Sequence, residues 1–195
     1  MAQARRQDLA ATSTLIALGA NLPNDGAPPE ASILAAISEL CTALDPHGRP
    51  SRLYWTPCFP PGAGPDYVNA ALAVQSALPP RDILALLHRI EADHRRERVE
   101  RWGARTLDLD LIAVGETVLP DERTQAEWRE LPAEAQRGAV PDRLILPHPR
   151  IQDRAFVLVP LAEVAPGWRH PLTGRTVAEM LAALPEEQVA EAVPV

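Results

Sequence analysis

Apolar positions along this chain switch between a strand period and a helix period. The run Ser13 to Leu18 (STLIAL) predicts a first strand, broken by Gly19 and the loop Gly-Ala-Asn-Leu-Pro. Pro28-Pro29-Glu30 then opens a helix to about Leu44, with Ile33, Leu34, Ile37, Leu40 and Leu44 at helical spacing. Ser51 to Trp55 predicts a second strand, followed by a Pro/Gly-rich loop from Thr56 to Pro65. Tyr67 to Val74 (YVNAALAV) predicts a third, with Val68 turned to the core and Tyr67 and Asn69 on the opposite face. Leu78-Pro79-Pro80 starts a second helix to about Arg95, on which Ile83, Leu84, Leu87 and Ile90 face inward, and Leu107 to Val114 is the fourth strand.

The order β-α-β-β-α-β over residues 13–114 is the ferredoxin-like α+β plan: an antiparallel sheet with helices packed on one face. Residues 120–142 are polar and predict a surface insertion holding a short helix. Leu144 to Pro147 resumes an apolar run. Phe156 to Val164 and Thr176 to Leu184 predict short C-terminal helices. On this reading residues 1–12 are a flexible lead-in, 13–184 one domain, and 185–195 a mobile tail.

Composition narrows the chemistry. A chain of 195 residues with a net charge of −7 suits a single domain and argues against a nucleic-acid coat or a membrane-surface protein. No window approaches a membrane span, and MAQARRQDLAATS lacks the apolar core of a signal peptide. The expectation is therefore a cytoplasmic chain with no nucleic-acid or membrane partner. Cys41 and Cys58 are too few for a zinc site or a disulfide framework. All 19 basic residues are arginine, so a P-loop lysine and Schiff-base chemistry are excluded.

The chemistry concentrates in residues 95–111, RRERVERWGARTLDLDL. On a strand, Leu107, Leu109 and Leu111 line one face while Asp108 and Asp110 share the other, roughly 7 Å apart at Cα. That spacing lets both carboxylates serve one hard cation or a pair of them. The nearby arginines present planar forks that match phosphate oxygens. An Asp-x-Asp standing alone is most often a solvated strand face. Elsewhere, Asn69 offers donor and acceptor to the edge of a heterocycle. Phe59, in the loop begun by Thr56-Pro57, is placed to cover a flat ligand, and His148 to donate to a phosphate. Glu91 belongs equally to the core edge or to the site. The residues alone leave open a Mg-dependent kinase, a nucleotidyl transferase and a ferredoxin-like RNA-binding module.

Taken together, these stretches resemble one family. RWGARTLDLDL is similar to the R-W-G-P-R-T-L-D-L-D signature of 6-hydroxymethyl-7,8-dihydropterin pyrophosphokinases. The likeness extends through Gly19-Ala20-Asn21-Leu22, Tyr54-Trp55-Thr56-Pro57 and Pro65-Asp66-Tyr67-Val68-Asn69-Ala70. It continues in Ile90-Glu91, Arg96-x-Arg98, Leu146-Pro147-His148-Pro149 and Arg154-Ala155-Phe156, covering roughly residues 13–166. The resemblance implies ATP as co-substrate, transfer of its pyrophosphoryl group to the pterin hydroxymethyl in folate synthesis, and two Mg²⁺ held by Asp108 and Asp110. It implies Arg96 and Arg105 beside the transferring group. Arg98, Arg143, His148 and Arg154 would make further ATP contacts, with Trp102 sealing the site. The pterin would lie between Phe156 and a ring of the loop. Gly19, Thr56, Pro57, Phe59, Tyr67 and Asn69 would complete its pocket. Ala20, Cys58, Ala104 and the long insertion depart from the pattern, and none of them is a metal or phosphate residue.

Overall fold

The computed structural model describes residues 10–58, 62, 64–94 and 105–195. Its first part follows the expected order: β1 (Thr12–Ala20), α1 (Pro29–Leu44), β2 (Arg49–Pro50), β3 (Tyr54–Thr56), β4 (Tyr67–Ser76), α2 (Pro80–Asp93) and β5 (Asp108–Val114). After it come α3 (Glu122–Arg129), α4 (Ala133–Gly138), a 3-10 turn over Ile151–Asp153, α5 (Ala155–Val164), α6 (Val177–Leu181), α7 (Glu186–Ala190) and β6 (Val193–Pro194). The strands form one antiparallel sheet in the order β5-β1-β4-β3-β6, with β2 also on β4.

The expected second strand is two strands. At the break between β2 and β3, Ser51 donates its N–H to the Ala71 carbonyl (2.8 Å), and its hydroxyl accepts the Ala71 N–H (2.9 Å). The side chain thus replaces a backbone acceptor. It frees Arg52 to turn outward, where its backbone N–H and Nε both donate to Glu163 on α5.

Both main helices begin with proline as their first residue, whose fixed φ suits the first turn and whose missing N–H costs nothing there. They lie on one face of the sheet. Ile33, Ala36, Ile37 and Leu40 of α1 and Ile83, Leu86, Leu87 and Ile90 of α2 pack with Ile16, Leu18, Leu72 and Leu109. Leu34, expected inward, is 55% exposed because the buried stripe runs 33, 36/37, 40 and position 34 falls on its flank. Leu84 is likewise only partly buried, and Leu86 takes its place in the core.

The one-face placement expected for the two core helices holds, and the C-terminal helices add a layer on the other face. Leu15, Ala17, Ala71, Ile112 and Ala113 on the opposite face form a second core with Val157, Leu158, Leu161 and Val164 of α5 and Val177 and Met180 of α6. A strand covered on both faces reads as a continuous apolar run, which is why LIALGA shows little alternation. The alanines of β4 and β1 leave room for α5 to come down on the sheet. In β5 a register irregularity opposite Leu15/Ile16 sends the successive residues Ile112 and Ala113 both to this second core.

The insertion holds two short helices, α3 and α4, where one was expected. Its base is closed by Leu119 and Leu146, which exchange backbone hydrogen bonds of 2.9 and 3.1 Å. Gln125 is fully buried and donates to the Pro147 carbonyl (3.1 Å), tying α3 to the segment that carries His148. Residues 185–195, expected as a loose tail, run instead through α7 into β6, which pairs with β3, and Val195 N–H donates to Leu53 O (3.0 Å).

Behind α5, His170 is fully buried, and its Nδ1 accepts from Leu172 N (3.2 Å) and Thr173 N (3.4 Å), so Nδ1 stays unprotonated in the folded state. Burial, with Arg129 adding to it, pushes the imidazole down to about 4. The unfolded chain then binds a proton that the folded chain refuses, so this residue costs no stability above about pH 6.5 and destabilises increasingly as pH falls toward 4. A slope of about 1.4 kcal/mol per pH unit is expected from this one group. Urea unfolding between pH 7 and 4.5 should show the loss. His170→Asn, which accepts the same N–H groups without titrating, should make the fall visibly shallower; an unchanged slope would discard this account.

Candidate active site

β1 lies between β4 and β5, and its register sets one row across the sheet: Asp108, Gly19, Asn69 and Tyr54. Two pairs further along, and so on the same face, Tyr67 sits opposite Thr56. Because cross-strand partners share a face, Asp108, Asn69 and Tyr67 project on the α5 side, with Gly19 as a gap between them. A side chain at Gly19 would press Asn69 Oδ1 at 3.0 Å. Asn69, itself buried, donates Nδ2–H to the Thr56 hydroxyl at 2.7 Å, which fixes its amide orientation. Thr56 is buried beside it and Pro57 is exposed.

The leucine/aspartate alternation falls as the strand period requires, with Leu107, Leu109 and Leu111 in the first core and Asp108 and Asp110 on the other face. Arg105 pairs with Asp108, and Arg154 at the start of α5 reaches Asp110 (Nη1–Oδ2 3.5 Å). The Arg154 guanidinium also lies over the exposed Phe156 ring, 5.6 Å from its centroid. Burial lowers the pKa of Arg154 while Asp110 opposes it.

His148 is held by its backbone N–H on the Ile112 carbonyl (2.8 Å), and its Nδ1 accepts from Arg150 N (3.1 Å). The remaining proton is therefore on Nε2. Burial first, then Arg154 and Arg150, push the ring down to about 3, so it is a neutral hydrogen-bond donor at ordinary pH. The Tyr67 phenol is raised mainly by burial, with Cys58 and Asp108 adding and Arg105 opposing, which puts all four groups in one neighbourhood.

Gly19, Thr56, Tyr67, Asn69, Arg105, Asp108, Asp110, His148, Arg154 and Phe156 thus belong to one end of the sheet and its α5 side. Arg143 is exposed, and its guanidinium makes a two-point pair with the adjacent Asp142, both contacts 2.8 Å. Phe59, Arg96, Arg98 and Trp102 lie outside the described residues. Glu91, left open between core and site, is buried and accepts the Leu109 N–H at 2.7 Å, so it docks α2 on the outer edge of β5.

Asn21 carries no role in the sequence reading beyond its place in the Gly-Ala-Asn-Leu stretch, yet it frames the site. It is 3% exposed. Its Oδ1 accepts Arg105 N–H (2.7 Å), its own N–H donates to Arg105 O (2.9 Å), and its Nδ2–H donates to Pro65 O (2.9 Å). One side chain therefore ties the end of β1, the approach to β5 and the loop before β4. The signal available in the sequence was an Asn at a strand end, the residue type that supplies both a donor and an acceptor.

Fold and site together define a ferredoxin-like α+β enzyme built to handle anionic phosphate groups. The profile of the 7,8-dihydro-6-hydroxymethylpterin-pyrophosphokinase (HPPK) family matches residues 15–166, and the chain belongs to this family of ATP-dependent enzymes. It is 38% identical over 181 residues to the 2-amino-4-hydroxy-6-hydroxymethyldihydropteridine pyrophosphokinase of Pseudomonas aeruginosa, covering 89% of this chain and 93% of that one. The protein of the same name in Synechocystis is 35% identical over 168 residues, covering 86% and 73%. Among solved structures, wild-type HPPK-DHPS of Plasmodium falciparum superposes with a TM-score of 0.60 at 12% identity, which speaks to the fold alone. The match covers 88% of this chain and 44% of that one, so this chain spans less than half its length.

Asn21→Asp tests the tie. The acceptor for Arg105 N–H survives, but the donor to Pro65 O becomes an oxygen facing an oxygen in a buried place. A loss of about 1–3 kcal/mol is expected, read as a lowered urea midpoint at pH 7; an unshifted midpoint would remove Asn21 from the frame.

Proposed function

We propose a division of labour among these residues for the family's reaction, in which the chain moves an intact pyrophosphoryl group from ATP to 6-hydroxymethyl-7,8-dihydropterin in folate biosynthesis. The pterin hydroxyl oxygen attacks the β-phosphorus and gives up its proton. The bond from that phosphorus to the α,β-bridging oxygen breaks, and AMP leaves with the electron pair. The observation that carries the assignment is the carboxylate pair of β5 ringed by Arg105, Arg154 and His148.

Asp108 and Asp110 are suited to Mg²⁺ by their donor type: hard oxygens on one strand face, already matched by guanidinium cations. Among the described residues no group of three or more His, Cys, Asp or Glu gathers as a metal site. That fits an ion that takes one or two carboxylates and completes its shell from phosphates and water. Two Mg²⁺ held by this pair would supply charge neutralisation across the triphosphate. Arg105 stabilises the charge developing on the transferring group, together with Arg96, while Arg154, Arg98 and Arg143 bind the nucleotide. Neutral His148 donates Nε2–H to a phosphate oxygen. Asn69, locked by Thr56, reads the edge of the pterin above the opening at Gly19, with Tyr67, Pro57 and the rings of Phe59 and Phe156 as its walls. Trp102 closes the site against water.

The same reading gives one domain, which runs on from the expected 13–184 through α7 into β6, with the 120–142 insertion as an appendage. It gives a cytoplasmic monomer whose partners are small molecules rather than nucleic acid or membrane. In support, the net charge is −7, and no helix among the described residues is long and apolar enough to cross a membrane.

The test is to incubate the chain with Mg²⁺, ATP and the dihydropterin and resolve the nucleotides. AMP formed only with the pterin is expected, whereas ADP would mean γ-phosphoryl transfer. Asp108→Ala and Asp110→Ala should each lower pterin-dependent AMP formation by about a hundredfold or more without loss of the folded signal. Near-normal turnover in either would sink the carboxylate assignment.

A further inference from the structure

Both aspartates assigned to the metal are paired to arginines assigned to the phosphates. Arg105 holds Asp108, and Arg154 holds Asp110 at 3.5 Å. The pairs are neither exposed nor sealed: the side chains of Arg105 and Asp108 are 24% and 22% exposed, those of Arg154 and Asp110 19% and 38%. At that depth water and salt screen them less than a surface pair, while the carboxylates stay open to an entering ion. Both arginines are anchored from behind. The backbone of Arg105 is clamped by Asn21 and Leu22 through three hydrogen bonds of 2.7 to 3.0 Å: its N–H donates to Asn21 Oδ1, and its carbonyl accepts from the Asn21 and Leu22 N–H groups. Arg154 begins α5, where its carbonyl accepts from Val157 N–H (3.1 Å) and Leu158 N–H (2.9 Å). With the backbones fixed, only the side-chain ends need move.

The geometry points to a partner exchange: without metal, each carboxylate withholds an arginine from the phosphates. Entry of the magnesium-bound nucleotide transfers the carboxylates to metal and the guanidiniums to phosphate in one step. This rests on the reading of Asp108 and Asp110 as metal holders. Its consequence is a coupling between ion and nucleotide that goes beyond their own attraction. Metal-free polyphosphate must compete with Asp108 and Asp110 for the arginines, and an ion without phosphate must compete with the arginines for the carboxylates. By linkage each ligand strengthens the other by the same factor. The site therefore discriminates against uncomplexed nucleotide, and its two sets of charges stay matched whether it is empty or filled.

The experiment is a double-mutant cycle on binding, with inorganic pyrophosphate in EDTA as probe and calorimetry on the full-length chain as readout. Asp108→Asn keeps the shape of the side chain and releases Arg105. Removal of one negative charge would by itself tighten pyrophosphate equally in any background. Release of a withheld arginine tightens it only where that arginine is present. The expected result is a gain of about fivefold or more from Asp108→Asn in the native background and less than about twofold in the Arg105→Ala background. Equal gains in both backgrounds would overturn the exchange in favour of a plain field effect, and no gain in either would show that Asp108 withholds nothing. The cycle Asp110→Asn with Arg154→Ala is the second, independent arm and carries the same expectation. MgATP is titrated in parallel: Asp108→Asn should weaken it while the thermal midpoint holds. An unchanged MgATP affinity would instead remove the metal-holding role, and the exchange with it. A weakened MgATP affinity without the pyrophosphate gain leaves the metal role intact and rejects the exchange alone.

Discussion

The site depends first on the register of β1 between its two neighbours. Nine residues of β1 pair with β4 and six with β5, so Gly19 is held opposite Asn69 on one side and Asp108 on the other. A slip of one residue on β5 would send Asp108 and Asp110 into the core and Leu107, Leu109 and Leu111 into the site. Burying two carboxylates while exposing three leucines is costly enough to exclude it. The hydrophobic effect on one face thus sets the electrostatics of the other. Within this row Gly19 leaves the space beside the Asn69 amide that a side chain would press into.

Cohesion between the two ends of the reaction comes from polar ties rather than packing. Asn21 joins three chain segments, Thr56 locks Asn69, and Arg150 N–H sets the tautomer of His148. Each is a hydrogen bond whose loss would leave a partly or fully buried group unpaired, so each is more specific than the area it covers. The residues proposed for the phosphates and those proposed for the pterin then keep their spacing although they come from strands, loops and a helix far apart in sequence.

Much of this was legible in the sequence. The Leu/Asp alternation places both carboxylates on one face, and proline pairs mark the starts of both main helices. The second core was not, because β1 reads as a buried run whichever partner covers its other face. Nothing local to Phe156–Val164 says which side of the sheet that helix takes. The split at Ser51 escaped for a related reason: a hydroxyl standing in for a backbone acceptor leaves no trace in hydrophobic period. Asn21 was visible as a residue type, but its two partner residues, Pro65 and Arg105, lie 44 and 84 positions away, beyond any window of local pattern. Arg143 shows the opposite limit, since its motif position says nothing of the Asp142 pair that holds its guanidinium.

The ends of the sheet carry one more consequence. An antiparallel sheet has two rims, and a bare rim of amides invites a neighbouring molecule to add a strand. Here α2 lends Glu91 to the Leu109 N–H on the β5 rim, while the opposite rim is β6, two residues long and ending in a proline with no N–H to offer. The chain thereby blunts both rims with its own residues, and the fold that presents a charged site to solvent is poorly suited to stacking edge to edge at high concentration.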